Sequence, residues 1–119
     1  MLNKQYRFHS RGGVRYVYQH GKTLRTPKMS LVFCDNIKKR TRFAVVVSKK
    51  IDKSAVGRNR IRRRIYEILR LNIDKIPKER DYLFVVFSKD LLWMDYKEIE
   101  KLIGELVEDS KVCYNKLNG

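Results

Sequence analysis

The sequence predicts one α+β domain, a sandwich in the order α-β-β-α-β-α with helices packed on a small mixed sheet. Three observations carry that expectation. Apolar residues make up 43% of the chain, enough to build a core and too many for a disordered basic tail. Two period-2 runs and one aromatic, β-branched run read as strands. Three further segments carry apolar residues at helical spacing. The 119 residues suit a single domain spanning 1–119.

The elements follow in order. In "RGGVRYVYQHGK", Val14, Val17 and Tyr18 recur at helical spacing, and Gly21 is placed to end the helix in a left-handed cap. Gly12 and Gly13 each weaken the first turn by about 1 kcal/mol relative to alanine, so this helix is expected short and late-starting. "MSLVFCD" alternates Met29, Leu31 and Phe33 with Ser30, Val32 and Cys34. "RFAVVVSKK" puts Phe43, Val45 and Val47 on one face and Ala44, Val46 and Ser48 on the other. With the basic turn "NIKKRT" between them, the two runs read as an antiparallel hairpin. "DYLFVVFS" (81–88) reads as a third strand. The last helix carries Ile99, Leu102, Ile103, Leu106 and Val107 on one face.

The charge balance speaks about partners. The net charge is +15, and it is uneven. Residues 38–70 hold 13 Lys and Arg against two acids, Asp52 and Glu67, whereas residues 90–119 hold four lysines against seven acids. A polyanion is the expected partner. No apolar run approaches the roughly 20 residues of a membrane span. The start, "MLNKQYRFHSRGG", has no hydrophobic segment of the signal-peptide kind, so the cytoplasm is the expected location. Cys34 and Cys113 stand far apart outside any CxxC pair, which argues for reduced thiols and against a zinc site.

The densest basic stretch is "AVGRNRIRRRIYEILR", Ala55 to Arg70, with six arginines and one acid. On a helix turning about 100° per residue, Ile61, Ile65, Ile68 and Leu69 form a stripe for the core. Arg58, Asn59, Arg62, Arg63, Tyr66 and Arg70 fill the adjacent sector, and Arg60, Arg64 and Glu67 a third. Glu67 can pair with Arg60, Arg63 or Arg64, yet one carboxylate cannot neutralise the sector. A solvated face built for solubility would mix signs and use lysine and glutamate. A membrane-surface or peptide-type helix would need its apolar stripe free. An almost purely arginine face suits phosphate.

Chemistry is harder to find. His9 and His20 have no nucleophile or carboxylate at a suggestive spacing, and no phosphate-cradling glycine loop or metal-ligand cluster is present. No catalytic residue, metal site or bound cofactor is therefore expected. Val14 and Tyr18 share a helical face. With the small residues Ser30, Val32, Cys34, Ala44, Val46 and Ser48 they can line a groove for single-stranded nucleic acid, or else be ordinary core. A general RNA-binding module is one function open to such a chain.

Taken together, "VYQHGKTLRTP", "FAVVVSKK" and "AVGRNRIRRRIYEILR" resemble the protein subunit of bacterial ribonuclease P, from about Tyr6 to Phe87. The resemblance implies a left-handed βαβ crossover, against the general rule. It implies a subunit of a ribonucleoprotein endonuclease that removes the 5′ leader of precursor tRNA. Catalysis would belong to the RNA subunit and its magnesium, with no protein partner required. Lys49, Lys50, Arg58, Asn59, Arg60, Arg62, Arg63 and Tyr66 would bind RNA. Val14, Tyr18, Ser30, Val32, Val46 and Ser48 would line the leader cleft. Three features depart from the family pattern. Val14 stands where phenylalanine is usual, Tyr66 stands where a later arginine is usual, and the loop "IDKS" is about one residue longer.

Overall fold

The computed structural model describes residues 4–8, 11–36 and 40–118, with Arg11 and residues 112–118 described as backbone alone. His9 and the side chain of Cys113 thus lie outside the described residues. Helix α1 spans Arg11–His20, strands β1, β2 and β3 span Lys22–Arg25, Met29–Asp35 and Arg42–Val47, and helix α2 spans Ala55–Leu71. Strand β4, Arg80–Val86, and helix α3, Tyr96–Asn118, complete the fold.

The sheet runs β1-β2-β4-β3. The expected hairpin between residues 29–35 and 42–47 does not form. β4 enters between them, antiparallel to β2 (Leu31↔Phe84) and parallel to β3 (Val45↔Phe84). The reason lies in β4 itself. Tyr82, Phe84 and Val86 face one side and Leu83 and Val85 the other, so the strand is apolar on both faces and belongs in the middle. The true hairpin is β1–β2, which pairs Lys22↔Phe33 through Arg25↔Ser30. Its turn is closed by Thr26, whose Oγ1 accepts from the Met29 N–H at 3.1 Å. β1 escaped the sequence reading because "KTLR" offers a single apolar residue on a mostly exposed edge.

Each face of the sheet has its own core. On one, Met29, Leu31, Phe33, Phe43, Val45 and Val47 meet α2 and α3. Ile61, Ile65, Ile68 and Leu69 of α2 are at most 1% exposed, as the helical spacing predicts. Burying each contributes about 1.5–3 kcal/mol, whereas a like-charge pair on the helix surface costs only tenths. That difference lets so basic a segment fold. On the other face, Val17 of α1 and Phe8 cover Val32, Ala44 and Leu83, with Val14, Cys34, Val46 and Val85 partly buried around them.

Two details of α1 differ from expectation. The helix starts at Arg11 despite Gly12 and Gly13. Gly21 has no positive φ, so it is no left-handed cap. It is needed for close approach instead: a Cβ there would sit 2.5 Å from the Val17 carbonyl oxygen and 2.8 Å from Val32 Cγ1.

Candidate nucleic-acid interface

The loop before α2 sets where its arginines stand. Asp52 Oδ1 accepts from the Ser54 N–H at 2.8 Å, and Ser54 Oγ caps the helix by accepting from the Gly57 N–H at 3.3 Å. Arg58 Nη1 donates to the Asp52 and Lys53 carbonyls, both at 3.0 Å. Arg58 thereby fastens the loop "IDKS" onto the first turn. That turn contains no acid, so the positive end of the helix dipole adds to the cationic side chains. Lys49 and Lys50 are exposed in the turn that leaves β3.

The arginines divide by role. Arg64 is turned onto the segment after β4, donating from Nη1 to the Leu91 carbonyl at 2.6 Å and from Nη2 to that of Met94. Arg70 pairs with Glu67 one turn before it, Nε lying 3.2 Å from each carboxylate oxygen. The sequence reading offered Glu67 to Arg60, Arg63 or Arg64. Arg70, three residues on and outside that set, takes it instead. The hydrogen bond from Arg70 pulls the Glu67 carboxyl down to about 2. Arg60 and Arg63 are exposed and Arg62 is half-buried, with its guanidinium donating to Asn59 Oδ1. Among the described residues no carboxylate pairs with Arg60, Arg62 or Arg63.

A groove of about 490 Å³ runs along the open edge of β3. Ala44, Val45 and Val46 form its floor, and Val14 of α1 stands on one side. Asn59, Arg62, Arg63 and Tyr66 of α2 form the opposite wall. The structure thus brings together seven of the sequence-named residues: Val14, Ala44, Val46, Asn59, Arg62, Arg63 and Tyr66. It places the others apart. Tyr18 is half-exposed on α1, Ser48 is exposed just beyond β3, and Ser30 and Val32 are buried at 3% and 2% exposure. Phe33 and Phe43 belong to the opposite core. His20 stacks on Tyr16, ring centres 4.3 Å apart.

Three lining residues were missed, Arg7, Phe8 and Val45. Phe8 donates its N–H to the Phe43 carbonyl at 2.9 Å, so the segment before α1 lies along the edge of β3. Arg42 lies over the Phe8 ring at 5.1 Å while its Nε and Nη2 each donate to Asp81 at 2.9 Å. No local spacing in "KQYRF" signals a pairing made with a strand 35 residues away. Cys34 borders the cleft-side core, where burial and the Asp81 and Asp35 carboxylates push its thiol up to about 11.

A larger cavity, about 690 Å³, opens between α2 and α3 over Ile68, Leu69, Ile103 and Val107. Glu100, Glu105, Glu108 and Asp109 rim it. Its charge has the wrong sign for a polyanion, so the smaller groove is the nucleic-acid candidate. Among the described residues no group of three His, Cys, Asp or Glu is placed to hold a metal, and no helix is long and apolar enough to cross a membrane.

The family model described as Ribonuclease P matches residues 2–111. The ribonuclease P protein component of Clostridioides difficile (strain 630) is 40% identical over 101 residues, covering 82% of this chain and 85% of the relative. That of Clostridium botulinum (strain Loch Maree) is 38% identical over 101 residues, covering 85% and 89%. The RNase P protein of Staphylococcus aureus superposes with a TM-score of 0.79 at 24% identity over 92% of this chain and 98% of that one. The Thermotoga maritima protein gives 0.78 at 24% identity over 87% and 96%. At that identity the two structures speak for the fold, and they share the arrangement described above. The chain belongs to the ribonuclease P protein family and is a protein subunit of the endoribonuclease that matures the 5′ ends of tRNA.

Proposed function

We propose that the two walls of the β3-edge groove divide the work of this subunit between two RNAs. Arg62, Arg63 and Asn59, with Arg58, Arg60, Lys49 and Lys50 around the start of α2, grip the ribonuclease P RNA. The face of the sheet beside α1, with Val14 and Val46 in the groove and the exposed Tyr18 and Ser48 at its margins, receives the single-stranded 5′ leader of precursor tRNA, while Ser30 and Val32 lie buried beneath and support that face. The observation that supports this reading is the groove itself, apolar along β3 and arginine-lined along α2. Arginine forks fit phosphate pairwise, and a narrow apolar floor suits unpaired bases better than a duplex. Tyr66 belongs to the α2 wall through its ring rather than through a charge.

In this reading the chain supplies binding and orientation. Hydrolysis belongs to the RNA subunit and the magnesium it holds, in the cytoplasm. Arg58 has one further task, keeping "IDKS" folded so that Lys49 and Lys50 stay beside the helix. The test is reconstitution with the cognate RNA at low magnesium. Addition of this protein raises cleavage of precursor tRNA, and the assembled particle binds precursor more tightly than mature tRNA. Equal binding of the two would remove the leader cleft from the reading.

A further inference from the structure

We propose that Phe87 is a base-stacking platform for one nucleotide of the single-stranded leader, at the end of the cleft where β3 and β4 finish. The inference rests on the reading of the cleft given above and adds a residue to it.

Three observations place Phe87 there. First, alternation along β4 sends Leu83 and Val85 to the cleft-side core and Tyr82, Phe84 and Val86 to the other. Phe87 continues the first set, and its N–H still donates to the Lys28 carbonyl at 2.9 Å, so the ladder extends through it. Second, its ring is 49% exposed, whereas Phe33, Phe43 and Phe84 are almost fully buried. A phenylalanine on the face of a central strand has ample core available to it, and this one lies beyond the edge of both cores. Third, its surroundings suit RNA. Val47 pairs with Val86, so Ser48 follows beside Phe87, and Lys49 and Lys50 come next. Lys28, in the turn just before β2, lies opposite it, and Lys89 comes two residues on. Of these, Lys28 stands 3.6 Å from Asp90, an exposed pair of little strength, and Lys89 lies over the Trp93 ring at 5.9 Å.

An exposed apolar residue needs no function by itself. An exposed aromatic at the end of the cleft-side face of the sheet, flanked by lysines, has the composition of single-strand sites, where rings stack on bases and lysines follow the backbone. It also answers a deficit. Val14 offers no ring, so on the α1 side Tyr18 is the ring named for the leader, and Phe87 supplies a second one at the far end of the sheet. Any base has a π-face, so a Phe87 platform reads position along the leader more than sequence.

The experiment uses the holoenzyme reconstituted with its RNA subunit and precursor tRNAs carrying a single abasic site stepped along the leader. With the wild-type protein, one leader position is expected to lose about 5- to 100-fold in affinity when its base is removed. Phe87→Leu keeps an apolar side chain at an exposed position, so folding is retained. It is expected to show that loss on the intact leader and no added loss at that abasic position, with mature tRNA binding unchanged. If Phe87→Leu leaves both precursor affinity and the abasic profile as in wild type, while the particle still prefers precursor to mature tRNA, the platform is overturned and the cleft stands. If the wild-type particle shows no such preference, the cleft reading falls and the platform with it.

Discussion

The Arg7 guanidinium lies 5.9 Å from the centre of the Tyr66 ring, joining the segment before α1 to the basic helix. Tyr66 is 8% exposed, and it lines the groove beside Val45 of β3. The tyrosine therefore ties α2 to the open edge of β3 and presents a cation on its other side. Among the described residues, Arg7 Nε is buried without a hydrogen-bond partner. Tyr66→Phe keeps the buried ring and removes only the hydroxyl, so it should cost no more than about 1 kcal/mol of stability and should leave RNA affinity nearly unchanged. Tyr66→Ala should cost about 3 kcal/mol and weaken RNA binding as well. Arg7→Ala should reduce the log-log salt slope of RNA binding by about one, with little change in stability. Denaturant melts beside filter binding at several salt concentrations separate these outcomes.

Arg62 and Arg64 are two residues apart in the sequence and opposite in role. Arg62 stands in the groove wall, while Arg64 satisfies the Leu91 and Met94 carbonyls. Arg62→Ala should lower the salt slope by about one and hardly move the melting temperature. Arg64→Ala should leave the slope alone and cost about 1.5–3 kcal/mol, since two charge-assisted hydrogen bonds are lost. A reversed pattern would mean that the helix is rotated about its axis relative to the arrangement described.

The contrast between these two arginines shows where the sequence is legible. Helical periodicity separates Ile61, Ile65, Ile68 and Leu69 from the arginines because burial has the period of the helix. It cannot separate one arginine from another, because the carbonyls Arg64 meets come from a segment 27 and 30 residues away. The sheet follows the same rule. Alternation separated Met29, Leu31, Phe33, Phe43, Val45 and Val47 from Val32, Cys34, Ala44 and Val46, as the two cores do, yet strand neighbours are chosen by the two-sided apolar β4, a long-range effect. Arg7 and Phe8 join the groove through a pairing with Phe43 that no local pattern announces. The signature at Arg58–Arg63 was legible because its residue types, closely spaced on one helix, already state an anionic partner.

Cys34 gives a chemical probe of the cleft-side core. Its thiol ordinarily ionises near 9 and is pushed to about 11 by burial and by the Asp81 and Asp35 carboxylates. The folded pKa is raised, so the folded state holds its proton more firmly than the unfolded chain. This contribution to stability is complete below about pH 9 and is lost as pH rises through about 11. In a Cys113→Ser background, alkylation by iodoacetamide at pH 8 should be at least about tenfold slower in the folded protein than in denaturant, because only the thiolate reacts. The rate should climb steeply between pH 9 and 11. A folded-state rate equal to the denatured one at pH 8 would place Cys34 outside the cleft-side core.

The glycines of α1 allow its seat on the sheet to be tested separately from its helix propensity. At Gly12 a Cβ would meet nothing within 4 Å, so Gly12→Ala should stabilise the helix by about 0.5–1 kcal/mol through lost backbone freedom in the unfolded chain. At Gly21 a Cβ would meet the Val17 carbonyl and Val32 Cγ1 at under 3 Å. Neither can yield alone, since Val17 is fully buried and Val32 nearly so. Gly21→Ala should therefore cost about 1–3 kcal/mol and lift the end of α1 from β2. Both substitutions leave the arginines of α2 untouched, so affinity for the ribonuclease P RNA should stay within about twofold for each. The leader cleft is bounded by α1, so only Gly21→Ala should reduce the preference for precursor over mature tRNA. Leader discrimination preserved in Gly21→Ala, alongside a lowered melting temperature, would show that the leader does not depend on where α1 sits.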